Sequence, residues 1–93
     1  MARSTTIHRK WARFELSAAA GSRVFVAGTF NNWEATDMPL AEEQPGLFGT
    51  TALLPKGTHE YKFVVNGEWR CDPNCPDWVP NSYGTLNSRM QVG

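Results

Sequence analysis

The sequence has little of what marks several broad classes of protein. It has two cysteines in 93 residues, too few for a fold held together by disulfides. No apolar run approaches the roughly 20 residues needed to span a membrane, and residues 1–6 lack the apolar core of a signal peptide. We therefore expect a cytoplasmic protein, or a domain from one, with no membrane contact.

The chain also lacks an excess of either charge. Nine basic residues balance nine acidic ones, so we expect no bulk attraction to nucleic acid. Four basic residues nevertheless precede any acid: Arg3, Arg9, Lys10 and Arg13. They could form a basic arm for an acidic partner, but a solvated chain end and the outer face of a first strand explain them more simply. We expect residues 1–8 to be a loose basic arm.

Templates for catalysis are missing as well. His8 and His59 have no paired metal-ligand spacing, and there is no phosphate-binding glycine loop or Gly-x-Ser-x-Gly elbow. Composition leaves a pair of hydrolase carboxylates open, yet so small a chain offers little concavity for an active site. Cys71 and Cys75 lack the Cys-x-x-Cys spacing, which favours two reduced thiols in a loop over a redox clip or half a metal site. We expect no enzyme, cofactor or metal.

What the chain does have is short segments, rich in β-branched and aromatic residues, between frequent turn signals. Residues 11–16 alternate, and their apolar members should face a core: Ala12, Phe14 and Leu16. Residues 60–65 alternate in the same way, with a second inward set: Tyr61, Phe63 and Val65. Residues 24–27 resemble a central strand, and residues 88–92 the last one. The pattern predicts one all-β antiparallel sandwich over residues 1–93.

The Asn66-Gly67 pair is the strongest local signal in the chain. Asn-Gly between two extended segments predicts a hairpin with a type I′ turn, which needs positive φ at both positions. A two-residue loop would pair Val64 with Trp69. Because paired residues share a face of the sheet, Trp69 should lie near Lys62 and point away from the core.

Four tryptophans are generous for a chain of this length. Trp33 follows two asparagines in a turn-like segment, and Trp69 is predicted to face outward. An indole ring can stack on the apolar C–H face of a pyranose while polar groups bind the hydroxyls. In an alternative interpretation, both rings fold onto the edge of the sandwich. The residues alone favour neither sugar binding nor this alternative. Trp78 is expected to anchor a loop.

Several ordered motifs then resemble one family: residues 24–33 (VFVAGTFNNW), 57–69 (GTHEYKFVVNGEW), 72–73 (DP) and 84–87 (GTLN). Together they resemble carbohydrate-binding module family 48, which includes the glycogen-binding domain of the AMP-activated protein kinase beta subunit. N-terminal domains of branching enzymes and isoamylases are similar. The resemblance covers residues 14–92. It implies an early-set immunoglobulin-like β-sandwich that binds α-1,4-linked glucan, such as glycogen, starch or maltooligosaccharides, without catalysis.

The resemblance also implies roles for particular residues. Trp33 and Trp69 match the two family tryptophans that stack on glucose, and Lys62 matches a lysine that hydrogen-bonds sugar hydroxyls. Thr85 and Asn87 match a polar pair in the last binding loop. These five assignments follow from the family match and not from composition.

Two further positions belong to the same implied site. Asn32 lies in the turn that presents the first tryptophan. Tyr83 stands where the kinase modules often have leucine, so its ring would either add a third stacking surface or crowd the groove.

The resemblance leaves an alternative to sugar binding. Modules of this kind can pack against a catalytic glucan-active domain or a kinase-type partner, for which the basic arm and Trp11 are available. The two readings differ in whether Trp33 and Trp69 are exposed in one groove or buried by the domain itself. A small glycoside hydrolase is the least favoured reading.

Overall fold

The computed structural model describes residues 9–93, which form strands and turns and contain no helix. The strands are β1 (Arg9–Ser17), β2 (Val24–Gly28), β3 (Met38–Pro39), β4 (Ala41–Gln44), β5 (Leu47–Pro55), β6 (Gly57–Val65), β7 (Glu68–Arg70), β8 (Trp78–Pro80) and β9 (Leu86–Val92). They make two antiparallel sheets, a smaller one in the order β1-β5-β4 and a larger one in the order β3-β2-β6-β9-β8, with β7 paired to β6. The predicted all-β sandwich is therefore confirmed. Within residues 9–93, no helix is long and apolar enough to cross a membrane.

The core lies between the two sheets and is rich in aromatic rings. Strand β1 alternates as predicted, because Ala12, Phe14 and Leu16 are buried while the residues between them are exposed. The Phe14 ring lies edge-on to two rings of β6, with centroids 5.1 Å from Tyr61 and 6.5 Å from Phe63. Edge-to-face packing at these distances is favourable because the positive edge of one ring meets the negative face of the other.

Strand β6 is the central element of the larger sheet. On one edge it pairs with β2; on the other it pairs first with β9, over residues 57–61, and then with β7, over residues 63–65. Tyr61, Phe63 and Val65 face the core, as predicted. The opposite face is buried too, since Lys62 is only 9% exposed and Val64 only 4%.

The hairpin between β6 and β7 has the predicted geometry. Asn66 and Gly67 have φ values of 51° and 85°, the two positive angles that a type I′ turn requires. Val64 pairs with Trp69, so the tryptophan lies on the outer face of the larger sheet.

Residues 24–27 form an interior strand as predicted, since β2 lies between β3 and β6 and is largely buried. Two other predictions about elements need correction. The last strand begins earlier than predicted, at Leu86. Trp78 is not in a loop, because pairing with Ser88 places it in strand β8; its indole N–H donates to the Asp72 carbonyl at 3.4 Å.

The charged and cysteine-bearing segments have ordinary structural surroundings. The predicted arm, residues 1–8, lies outside the described residues. Arg13 points outward from β1, where it pairs with Glu15 and Glu43, as expected for the outer face of a first strand. Cys71 and Cys75 are free thiols, as predicted.

Candidate binding groove

An open groove of about 940 Å³ runs across the outer face of the larger sheet. Six of the seven residues predicted to form a site line it: Trp33, Lys62, Trp69, Tyr83, Thr85 and Asn87. Asn32 does not line it and is instead exposed in the turn that precedes Trp33. The fold thus brings together residues from four separate parts of the chain.

The turn after β2 holds Trp33 in place. The Asn31 side chain accepts a hydrogen bond from the Gly28 amide at 2.9 Å and donates to the Val26 carbonyl at 3.2 Å. The Trp33 amide donates to the Gly28 carbonyl at 3.0 Å. Asn32 and Trp33 both have left-handed backbones, with φ values of 55° and 59°. That conformation is uncommon for a bulky residue, so the turn holds Trp33 under local strain.

A glycine lets this turn sit close to β6. A Cβ atom on Gly28 would overlap the Glu60 carbonyl, and it would come within 2.7 Å of the Phe30 ring and 2.9 Å of the Tyr61 Cβ. Only glycine therefore allows the end of β2 to approach β6 so closely. This contact brings the turn that bears Trp33 to the groove.

Two more aromatic rings complete the apolar lining. Trp69, presented by the hairpin, is 45% exposed, and Tyr83, on the loop between β8 and β9, is 90% exposed. Trp33 is half-buried. All three rings belong to one groove, and the domain does not bury the two tryptophans in a mini-core of their own.

The polar lining is a connected network of side chains. Lys62 Nζ donates to Thr85 Oγ1 at 2.9 Å. The Asn81 amide donates to the same hydroxyl oxygen at 2.7 Å and to Asn87 Oδ1 at 2.8 Å. Asn87 in turn donates to Glu60 Oε1 at 2.9 Å. Each polar group is thus held in one orientation before any ligand arrives.

Sequence reasoning missed four lining residues: Thr29, Glu60, Asn81 and Ser82. Alternation along β6 placed Glu60 on the face of Lys62, which was a usable signal. The Pro80-Asn81 pair is one of the turn signals in the sequence, but nothing local indicated that the asparagine side chain would bond three other residues. Thr29 ties the end of β2 to β6, since its hydroxyl bonds His59 Nδ1 at 3.1 Å and accepts from the Glu60 amide at 3.3 Å.

A buried hydrogen bond fixes the segment between β7 and β8. Tyr61 donates its hydroxyl to Asp72 Oδ2 at 2.7 Å, and the Asp72 amide donates to Ser88 Oγ at 2.9 Å. Burial, followed by the Asp72 carboxylate, raises the pKa of Tyr61 well above its usual range. The bond ties this segment to the sheet next to the groove.

The charged lining of the groove is balanced, which suits a neutral polar ligand. Its charged lining residues are Lys62 and Glu60, one of each sign. Among residues 9–93, no three His, Cys, Asp or Glu side chains converge as a metal ion would require.

Comparison with known proteins points to one family. A family model described as the glycogen recognition site of AMP-activated protein kinase matches residues 12–93. Over 72 residues, 77% of the chain, the sequence is 42% identical to the 5'-AMP-activated protein kinase subunits beta-1 of Rattus norvegicus and beta-2 of Homo sapiens, covering 25% and 26% of those proteins. It is 40% identical over the same length to subunit beta-1 of Sus scrofa, covering 56%. The chain spans about a quarter of the length of the rat and human relatives. The match covers nearly all of the described sandwich, and the chain therefore belongs to the family of glycogen recognition sites of AMP-activated protein kinase, a family of carbohydrate-binding modules.

Proposed function

We propose that this domain binds chains of α-1,4-linked glucan, such as glycogen, starch or maltooligosaccharides, by aromatic stacking and directed hydrogen bonds. One observation carries the proposal: Trp33, Trp69 and Tyr83 share a groove with a fixed polar network. Pyranose rings offer apolar faces to aromatic rings and hydroxyls to polar groups. Membership of the glycogen-recognition family supports the choice of glucan over other neutral sugars.

Each group has a distinct part in this mechanism. Trp33 and Trp69 stack against the faces of glucose units, and Tyr83 adds a third surface at the rim. Lys62 donates one of its three N–H groups to Thr85, which leaves two to donate to sugar hydroxyls. Glu60 has one carboxylate oxygen engaged by Asn87, which leaves the other to accept from a hydroxyl. Little side-chain ordering remains to oppose binding, because the network exists beforehand.

The proposed role is binding without catalysis. Glycoside hydrolysis needs two carboxyl groups that flank the scissile bond. Among the described residues that line the groove, Glu60 alone has a carboxylate, and it is bonded to Asn87. We expect no release of reducing ends from amylose by the domain.

The direct test is calorimetric titration with maltoheptaose and β-cyclodextrin. Trp69→Ala should weaken binding at least tenfold, since truncating a central aromatic anchor costs about 2 kcal/mol. Trp11→Ala is the matched control, because Trp11 is 70% exposed on the smaller sheet. This variant should bind both sugars with the affinity of the wild type. A wild-type domain that is folded yet silent at millimolar sugar would refute glucan binding.

A second role, as an interaction domain, is favoured by one surface. Trp11 and Leu53 pair across β1 and β5 on the outer face of the smaller sheet, and they are 70% and 44% exposed. Exposed apolar pairs of this kind are used in protein contacts. We propose that this patch packs against a kinase-type or glucan-active partner, independently of the groove. If so, Trp11→Asp should abolish co-purification with the other subunits of an AMP-activated protein kinase and leave sugar affinity unchanged.

A further inference from the structure

Asn81 has every hydrogen-bonding group of its side chain engaged. Its Oδ1 accepts from the amides of Tyr83 at 2.9 Å and Thr85 at 3.2 Å. Its Nδ2 donates to Thr85 Oγ1 at 2.7 Å and to Asn87 Oδ1 at 2.8 Å. The two backbone donors can only be met by oxygen, so they fix which end of the amide is which.

This arrangement determines the direction of the Thr85 hydroxyl. Thr85 Oγ1 accepts from both Lys62 Nζ and Asn81 Nδ2. A hydroxyl oxygen has two lone pairs and one proton. With both lone pairs occupied by donors, the Thr85 proton is left to donate elsewhere, and Thr85 lines the groove.

The same side chain orients Asn87. Because Asn81 donates to Asn87 Oδ1, the Asn87 amide must turn its nitrogen toward Glu60, to which it donates at 2.9 Å. One N–H of Asn87 remains for a ligand. A single residue outside the predicted site thus sets the donor directions of two residues within it.

We propose that Asn81 is the positioning residue that makes Thr85 a hydrogen-bond donor to the ligand, so that the groove selects sugars presenting an acceptor oxygen at that point. The proposal rests on the proposed glucan binding and deepens it. Asn81 acts through Thr85 and Asn87; the ligand contact itself belongs to those two residues.

Asn81→Asp separates positioning from loop folding. The aspartate keeps an oxygen for the two backbone amides of the loop, so the turn is retained. Its second oxygen cannot donate, so it would accept the Thr85 proton and draw it away from the groove. Asn74→Asp is the matched charge control, because Asn74 is an exposed asparagine in the segment between β7 and β8.

The test is a double-mutant cycle with Thr85→Val, measured by calorimetric titration with maltoheptaose. We expect Thr85→Val to weaken binding about tenfold, the loss of roughly one directed hydrogen bond. Asn81→Asp should weaken it at least as much, because Asn87 loses its fixed orientation as well. Because both remove the same donor, the double variant should bind within about twofold of the weaker single variant. Asn74→Asp should bind like the wild type, and all variants should keep the wild-type unfolding temperature within a few degrees.

Each other outcome counts against a specific statement. Unchanged affinity in Asn81→Asp, or a double variant whose loss equals the product of the two single losses, would overturn the positioning role while leaving glucan binding intact. A loss in Asn74→Asp equal to that in Asn81→Asp would overturn it too, because charge alone would then explain the effect. A wild-type domain that does not bind maltoheptaose would overturn both proposals.

Discussion

Single residues account for the chemistry of the groove, and Tyr83 is the one whose contribution is easiest to isolate. It is 90% exposed, so its ring contributes little to folding. Its amide, not its ring, is tied to the loop, through a bond to Asn81 Oδ1. A substitution of the side chain should therefore change binding and little else.

We predict that Tyr83→Ala weakens maltoheptaose binding several-fold and changes the free energy of unfolding by no more than about 0.5 kcal/mol. Tyr83→Phe should bind like the wild type if stacking is the ring's main contribution. Calorimetry and urea unfolding provide the two measurements. Tighter binding in Tyr83→Ala would instead show that the ring crowds the groove.

Tyr61 makes folding dependent on pH at the alkaline end. Its pKa is raised in the folded state by burial and by Asp72, while an unfolded tyrosine titrates near pH 10, at about its reference value. Below that pH both states keep the proton, so the stabilisation is complete. Above it the unfolded state loses the proton first, so unfolding becomes more favourable as the pH rises.

We therefore predict that the free energy of unfolding of the wild type falls more steeply above about pH 10 than that of Tyr61→Phe. Near neutral pH the variant should be less stable, because Asp72 loses a buried hydrogen-bond partner. Urea unfolding across the alkaline range is the measurement. Parallel pH profiles for the two proteins would contradict the account.

Among the elements, the β6–β7 hairpin is the part of the site that the sequence determines most directly. Asn66 and Gly67 have left-handed backbones, which sets the turn, and the alternation along β6 determines which face Trp69 lies on. Both signals are local, which is why the register of Trp69 could be predicted. The polar network could not, because it depends on β8 pairing with β9, and a three-residue strand leaves almost no pattern in a sequence.

The turn after β2 shows the same limit in another way. The sequence placed Trp33 in a turn, but not the capping of that turn by the Asn31 side chain. Nor did it indicate the close approach of Gly28 to β6, since the two strands are far apart in the chain. Resemblance to a family supplied Thr85 and Asn87, which no local pattern indicated.

Gly67→Ala tests the hairpin. No atom would crowd the added Cβ, so the expected loss of about 1 kcal/mol comes from forcing alanine into the left-handed region at φ 85°. We also expect weaker maltoheptaose binding, because Trp69 is presented by this turn. Glu68→Ala, in the same hairpin, is the control and should change the folding free energy and the maltoheptaose affinity little. Equal thermal unfolding of Gly67→Ala and wild type would contradict the type I′ geometry.

At the scale of the whole molecule, the core and the two proposed binding surfaces occupy three separate places. Rings between the sheets, including Phe14, Tyr61 and Phe63, form the core. The groove lies on the outer face of the larger sheet, and the Trp11–Leu53 patch lies on the outer face of the smaller one. A substitution in one of these three places should therefore have little effect on the other two.

We predict that Phe14→Ala, which truncates a ring only 2% exposed, costs about 3–5 kcal/mol of folding free energy. Trp11→Ala, three residues earlier in β1 and on its outward face, should cost at most about 0.5 kcal/mol. Urea unfolding of both variants measures the difference. Similar losses in the two would mean that the sheets do not pack as described.

The most direct test of the central claim uses the indole N–H signals of the four tryptophans in an NMR titration with maltoheptaose. Two of them, Trp33 and Trp69, line the groove, while Trp11 and Trp78 lie elsewhere. We predict that the Trp33 and Trp69 signals shift saturably and that the other two stay fixed. Shifts confined to Trp11 or Trp78, or none at millimolar sugar, would contradict the claim that this groove binds glucan.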